Sequence, residues 1–289
     1  MSRETPRTYS RLSGGGNDFL ALVEPEEPPS PEEIRALCQR GLSLGADGLF
    51  TLRRVGDGDG SGARMDYFNA DGEGAALCLN GTRCAARLAF ELGWDDGEGR
   101  IEILTGAGAV AARVTPNGAI ELEVEPPSGV PALIEVVADR RTWSGWQIPI
   151  GVPHFVLPWF GTLAQAPVEE LGPALRHAPE LGSEGANVDF VRFPRRNLIE
   201  LRTYERGVEA ETLACGTGAL AAAAIGLATG ESELPLEVLT LGGYRLKVAG
   251  EVEDRRPRAW TLAGDARLVA RGEIEAEALD VPPAPDWSP

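Results

Sequence analysis

The hydrophobic pattern switches from alternating to helical twice along the chain, in the same order each time. "AIELEVE", "FVRF" and "YRLKVAG" alternate apolar and polar residues, which predicts strands with one buried face. "DYFNADGEGAALC" runs from a strand pattern into a glycine-rich turn, and "GTRCAARLAFELG" continues with apolar or small residues at helical spacing up to Gly93. "LIELRTYERGVEAETLAC" again reads as strand then turn, and "GTGALAAAAIGLATG" as a helix closed by Gly230. "EEIRALCQR" predicts a separate amphipathic helix.

The two halves correspond in detail. Cys78-Leu79-Asn80-Gly81 aligns with Cys215-Gly216-Thr217-Gly218 at an offset of 137 residues, and Phe68-Asn69 aligns with Tyr204-Glu205 at 136. "GGGNDF" near the start aligns with "GVPHF" at Gly151. Glycine-rich turns before helices are common singly, but several in one order at a nearly constant offset predict a duplicated α/β lobe. The slip in offset places one extra residue between Tyr204 and Cys215, in "GVEAE". The proline-rich Val124–Pro131 predicts the boundary between lobes.

Composition narrows the chemistry. A length of 289 residues with 43% hydrophobic content suits two lobes with packed cores. The formal net charge of −17 argues against nucleic acid as a partner. No run of eighteen apolar residues predicts a membrane span, and "MSRETPRTYSRLSGGG" lacks the apolar core of a signal peptide, so a cytoplasmic, reducing setting is expected. Cys38, Cys78, Cys84 and Cys215 then read as free thiols rather than a disulfide framework. Lys247, the single lysine, lies in a strand pattern, which disfavours pyridoxal chemistry. With two histidines and no zinc spacing, no metal is expected, and "GDGDGSG" lacks the glutamate that closes a calcium loop.

Cys78 and Cys215 therefore hold the interest. Each stands at the mouth of a predicted helix whose first N–H groups have no intrahelical acceptor. Those groups and the helix dipole favour negative charge, so the thiol pKa is expected to fall and a carboxylate could be held there. If the lobes face each other, one sulfur reaches each face of a carbon bearing that carboxylate. Inverting a stereocentre needs this: a base on one face and an acid on the other, with no cofactor. The bland alternative is that both cysteines are small core residues. Cys84 reads as a packing residue, Cys38 lies on the amphipathic helix with no evident partner, and Asp18 and Asp71 read as turn formers.

The motifs "GGGNDF", "FNADGEGAALCLNGTRC", "PHFV", "ANVDFV", "YERG" and "ETLACGTGA", in this order, resemble the diaminopimelate epimerase family over nearly the whole chain. The resemblance implies an α/β fold of α+β type. Two pseudo-symmetric lobes, each a mostly antiparallel sheet wrapped around a central helix, would hold the active site in the cleft between them. Residues 1–127 would form the first lobe, 128–262 the second, and 263–289 a strand returning to the first lobe plus an acidic, proline-rich tail. It implies a cofactor-independent isomerase that converts LL-diaminopimelate to the meso form in lysine and peptidoglycan-precursor synthesis. Cys78 and Cys215 would be the two bases. Asn17, Asn69, Asn187 and Arg206 fall on substrate-contacting positions, Glu205 on an ammonium-holding one. Asn80 with the backbone of Gly216 and Thr217 would hold the reacting carboxylate. His154 either contacts the site or orders its turn. The family is often dimeric, so a homodimer is implied, although no surface in the sequence identifies an interface.

Three departures bear on the substrate. Val152 stands where the family commonly has asparagine, Leu79 where glycine is usual, and the extra residue in "GVEAE" alters the approach to Cys215. The alternatives are a related two-thiol racemase of proline or hydroxyproline, and a binding protein for a dicarboxylic amino acid that exchanges no proton.

Overall fold

The computed structural model describes residues 7–56, 62–127 and 129–281. The interior of "GDGDGSG", the extreme N-terminal residues and the end of the acidic tail lie outside the described residues. By internal contacts the chain divides into two compact units, Met1–Val110 with Ala266–Pro289, and Ala111–Asp265.

In the first unit β1 (Thr8–Gly14) and β2 (Asn17–Val23) form a hairpin, and α1 (Pro31–Cys38) leads into β3 (Gly48–Arg54). β4 (Gly62–Asn69) and the short β5 (Gly74–Ala75) precede α2 (Leu79–Glu91) and β6 (Arg100–Thr105). Strand Arg267–Glu273 pairs antiparallel with β1. β1–β2, β3–β4 and β4–β5 are antiparallel, whereas β2–β3 and β4–β6 are parallel, each across a helical connection. α1 begins where a capping box predicts: Ser30 Oγ accepts from Glu33 N, and Glu33 Oε2 accepts from Ser30 N, with Pro31 at the first helical position. α2 packs on β1 to β4, β6 and strand Arg267–Glu273 and is buried along most of its length.

β7 (Gly108–Val114) carries the chain into the second unit and pairs with β8 (Ile120–Val124). β9 (Ala132–Ala138), β10 (Arg141–Ile150), β11 (Val152–Pro158), α3 (Val168–Arg176), β12 (Asn187–Arg195) and β13 (Leu198–Glu205) follow. Next come β14 (Ala210–Thr212), α4 (Gly216–Thr229), β15 (Leu236–Thr240), β16 (Arg245–Glu253) and β17 (Arg256–Gly264). β9–β10, β10–β11, β12–β13 and β13–β14 are antiparallel; β11–β12 and β13–β15 are parallel. This is the pairing sequence of the first unit repeated, with α3 in the place of α1 and α4 in the place of α2. β8 pairs with β17, so by contacts the division falls upstream of the proline-rich stretch.

α4 is apolar on all sides and buried on all sides, as a helix without a polar face must be. Its small residues let neighbours approach: a Cβ on Gly226 would lie 2.5 Å from Ser232 Oγ. It touches β10 to β13, β16 and β17, so it is the central helix of its unit. Just upstream, Arg202 clamps β13 to β14 through Glu211 (2.6 and 2.7 Å) and takes the carbonyls of Leu163, Ala164 and Ala166. The offset slip has a definite place. Phe68 opposes Gly74 six residues on, whereas Tyr204 opposes Glu211 seven on, so the longer turn lies between β13 and β14. Glu209 there adopts φ +56°, an unusual conformation for a non-glycine residue. No helix among the described residues is long and apolar enough to cross a membrane.

Candidate active site

In the first unit Cys78 is the N-cap of α2, in extended conformation, and its Sγ accepts the Gly81 N–H at 3.4 Å. The thiol thus occupies the place of a capping serine or aspartate oxygen. Leu79 is buried in the first turn. Behind it runs a chain of side-chain bonds. Arg83 Nη2 donates to Asn80 Oδ1 (2.6 Å), Asn80 Nδ2 to Asn17 Oδ1 (2.7 Å), and Asn17 Nδ2 to Asp47 Oδ2 (3.1 Å). Asn69 ends β4, where its N–H donates to Glu73 O and its carbonyl accepts from Gly72.

In the second unit Cys215 caps α4 in the same way, its Sγ accepting the Gly218 N–H at 3.3 Å and lying 3.4 Å from Thr217 Oγ1. Gly216 and Thr217 form the first turn. Glu205, at the end of β13, receives the Thr212 hydroxyl and lies within hydrogen-bond reach of Cys215. Part of its surface stays accessible, but its carboxyl group is enclosed by neighbouring atoms. Arg206 Nη1 pairs with Glu184 at 2.9 Å, on a carboxylate whose side chain is 78% exposed. His154 is fully buried, with Nδ1 2.6 Å from Asp189 Oδ2 and Nε2 3.4 Å from Asn187 Nδ2. Val152 opens β11, two residues before His154.

The electrostatics correct one expectation. Helix position alone predicts a depressed cysteine pKa, yet burial pushes the Cys215 thiol well above its usual range. The carboxylates of Glu205 and Asp189 add to the rise, and the bonds from Thr217 and Gly218 only partly offset it. Burial also raises Glu205, and the Asp189 charge adds to that, against the opposing bonds from Thr212 and Cys215.

The family profile described as diaminopimelate epimerase matches residues 9–130 and 147–269. The chain belongs to the diaminopimelate epimerase family. A diaminopimelate epimerase of Aquifex aeolicus (strain VF5) is 36% identical, across 94% of this chain and 99% of its own length. One of Methanothrix thermoacetophila is 37% identical, across 94% and 97%. Among solved structures, a hydroxyproline epimerase from Agrobacterium vitis with bound trans-4-OH-L-proline superimposes with a TM-score of 0.69, covering 96% of this chain and 94% of its own. At 15% identity that likeness is one of fold.

Within this member of the diaminopimelate epimerase family, each unit gathers its own predicted residues. Asn17 and Asn80 meet near Cys78; Glu205, Thr217 and Cys215 meet in the other unit, with Asn187 and His154 bonded to each other. Asp18 is not a turn former: it lies within β2 and pairs with Arg11 and Arg40, because Gly15 and Gly16 alone supply the positive φ the hairpin needs. Asp71 does form a turn, accepting from Glu73 N at 2.8 Å. Cys84 and Cys38 are buried, and all four cysteines are free thiols. Sequence reading passed over Asp189, Thr203, Asp47 and Arg83. The signal for Asp189 was an ionisable residue in the apolar run "ANVDFV", a place that demands a partner.

The raised Cys215 pKa predicts sluggish alkylation. By peptide mass spectrometry, iodoacetamide should modify Cys215 only as pH climbs beyond the ordinary thiol range. Glu205, where ionised, raises that pKa, so Glu205→Gln should move the profile to lower pH. An unmoved profile would show that the two groups are not coupled.

Proposed function

We propose that the chain inverts one α-carbon of LL-diaminopimelate to give the meso isomer, with Cys78 and Cys215 exchanging the roles of base and acid and no cofactor taking part. One observation carries the reading: two cysteines cap the central helices of two repeated units, each sulfur on the third N–H of its helix. A structural cysteine has no reason to recur as a cap in both copies.

The chemistry follows from the groups present. One thiolate removes the α-proton, forming an S–H bond as the C–H bond breaks, and the electron pair delocalises into the α-carboxylate. First-turn N–H groups at Gly216 and Thr217, with the Asn80 amide, favour that growing charge. The other thiol protonates the opposite face, and the next turnover can run in reverse. Burial keeps the Cys215 thiol protonated in the free protein, the form that delivers a proton, so its turn as base needs the thiolate to be favoured once substrate is bound. The substrate ammonium beside Glu205 would offset the charges that hold Cys215 protonated. Arg206, whose fork pairs bidentately with carboxylates, reads the distal end. The setting is cytoplasmic and the partner a small molecule.

The test is conversion of LL-diaminopimelate to the meso isomer under reducing conditions, with proline and hydroxyproline run in parallel. Inversion of diaminopimelate alone is expected. Turnover of the cyclic substrates instead would replace the substrate assignment, and affinity without turnover would leave a binding protein.

A further inference from the structure

The bonds around Asn187 have only one consistent direction. The Arg206 backbone N–H can only donate, and it donates to Asn187 Oδ1 at 2.8 Å. The other end of that amide, Nδ2, therefore faces His154 Nε2 at 3.4 Å, and Nδ2 too can only donate. Nε2 must then be bare, so the imidazole proton sits on Nδ1, where Asp189 Oδ2 accepts it at 2.6 Å. Asp189 Oδ1 accepts from Thr203 Oγ1 at 2.8 Å. His154 and Asp189 are 0% exposed and Asn187 4%, so water does not compete. The parallel register of β11 and β12, which sets His154 beside Asn187, builds the contact into the fold.

The first unit uses the same device with different residues. Arg83 Nη2, another group that can only donate, fixes Asn80; Asn80 fixes Asn17; and the chain ends on the Asp47 carboxylate. Asn17, Asn80 and Asn187 are thus each locked in one amide orientation by a series of bonds running to an aspartate.

We infer that Asp189 and Asp47 are positioning residues, which fix the donor and acceptor ends of the asparagines that read the substrate, Asp189 acting through the tautomer of His154. This rests on the reading that those asparagines touch substrate. An amino acid presents an anion and a cation close together, and exchanging the two ends of an amide would set acceptor against carboxylate. Asp189→Asn can keep its oxygen on His154 Nδ1–H by turning its own N–H to Thr203, whose hydroxyl can accept as well as donate. Asp189→Leu keeps the bulk but removes the acceptor: the Nδ1 proton then has no partner, and the bond that holds His154 in one tautomer against Asn187 is lost.

Nitrogen-15 NMR of histidine-labelled protein reads the tautomer directly. His154 and His177 are the two histidines, so His177→Gln assigns the signals. The native free protein should show His154 protonated at Nδ1 and bare at Nε2. In Asp189→Leu the tautomer should shift toward Nε2, and kcat/KM should fall about 10- to 100-fold, mostly through KM, whereas Asp189→Asn should hold the native tautomer. Thr203→Val, which removes only the other bond to Asp189, should keep the native tautomer. A native proton on Nε2, or an unmoved tautomer in Asp189→Leu, would overturn the relay; a moved tautomer with unchanged KM would overturn its role. The NMR result is independent of turnover, so it stands or falls apart from the substrate assignment.

Discussion

Cys215→Ala protein should fold and yet lose inversion of diaminopimelate by at least about 10³-fold, and Cys78→Ala should do the same. A two-base reaction has no spare group: with one sulfur gone, a proton can leave one face, but nothing delivers one to the other. A packing role predicts a different outcome. Removing a buried sulfur and its cap bond would cost about 1–2 kcal/mol of stability, with activity following the folded fraction. Thermal unfolding measured beside activity separates the two. Full activity in either variant would remove that cysteine from the mechanism.

Gly218→Ala should be nearly as damaging, although it deletes nothing. A Cβ there would stand 2.5 Å from Asp189 Oδ1 and 3.1 Å from Thr203 Oγ1. Asp189 cannot swing aside, since it is fully buried and bonded to both His154 and Thr203. The strain must displace either the first turn of α4, with the N–H that Cys215 accepts, or the His154 network. A loss of more than about 10²-fold in kcat/KM and of about 1–3 kcal/mol in stability is expected. The matching glycine of the first unit gives the internal comparison. A Cβ on Gly81 would meet the terminal methyl of Met65 at 3.0 Å, the far end of a flexible side chain. Gly81→Ala should therefore be the milder change, and equal loss in both variants would mean that the Asp189 contact is not the cause.

What the sequence made legible was local. The cysteine-to-glycine spacing at each helix mouth fixes the cap within four residues, and its recurrence marks the repeat before any tertiary contact is known. The Gly93 and Gly230 stops were readable for the same reason, because both need positive φ. The His154–Asp189–Asn187 network was not readable, since it depends on the parallel register of two strands separated by α3. Asp18 was misread because two glycines beside it already make the turn. The direction of the Cys215 pKa was misread because the helix terminus is a local feature. The burial and the two carboxylates that outweigh it arrive through β12 and β13.

The central claim is that the proton removed and the proton delivered belong to different sulfurs. A single turnover of α-protiated LL-diaminopimelate in deuterated water, under reducing conditions, tests it most directly. Two bases predict that the first meso product carries deuterium at the inverted carbon, while unreacted LL substrate still holds protium there. Meso product retaining the substrate's own α-proton would mean that one group serves both faces, and would contradict the account.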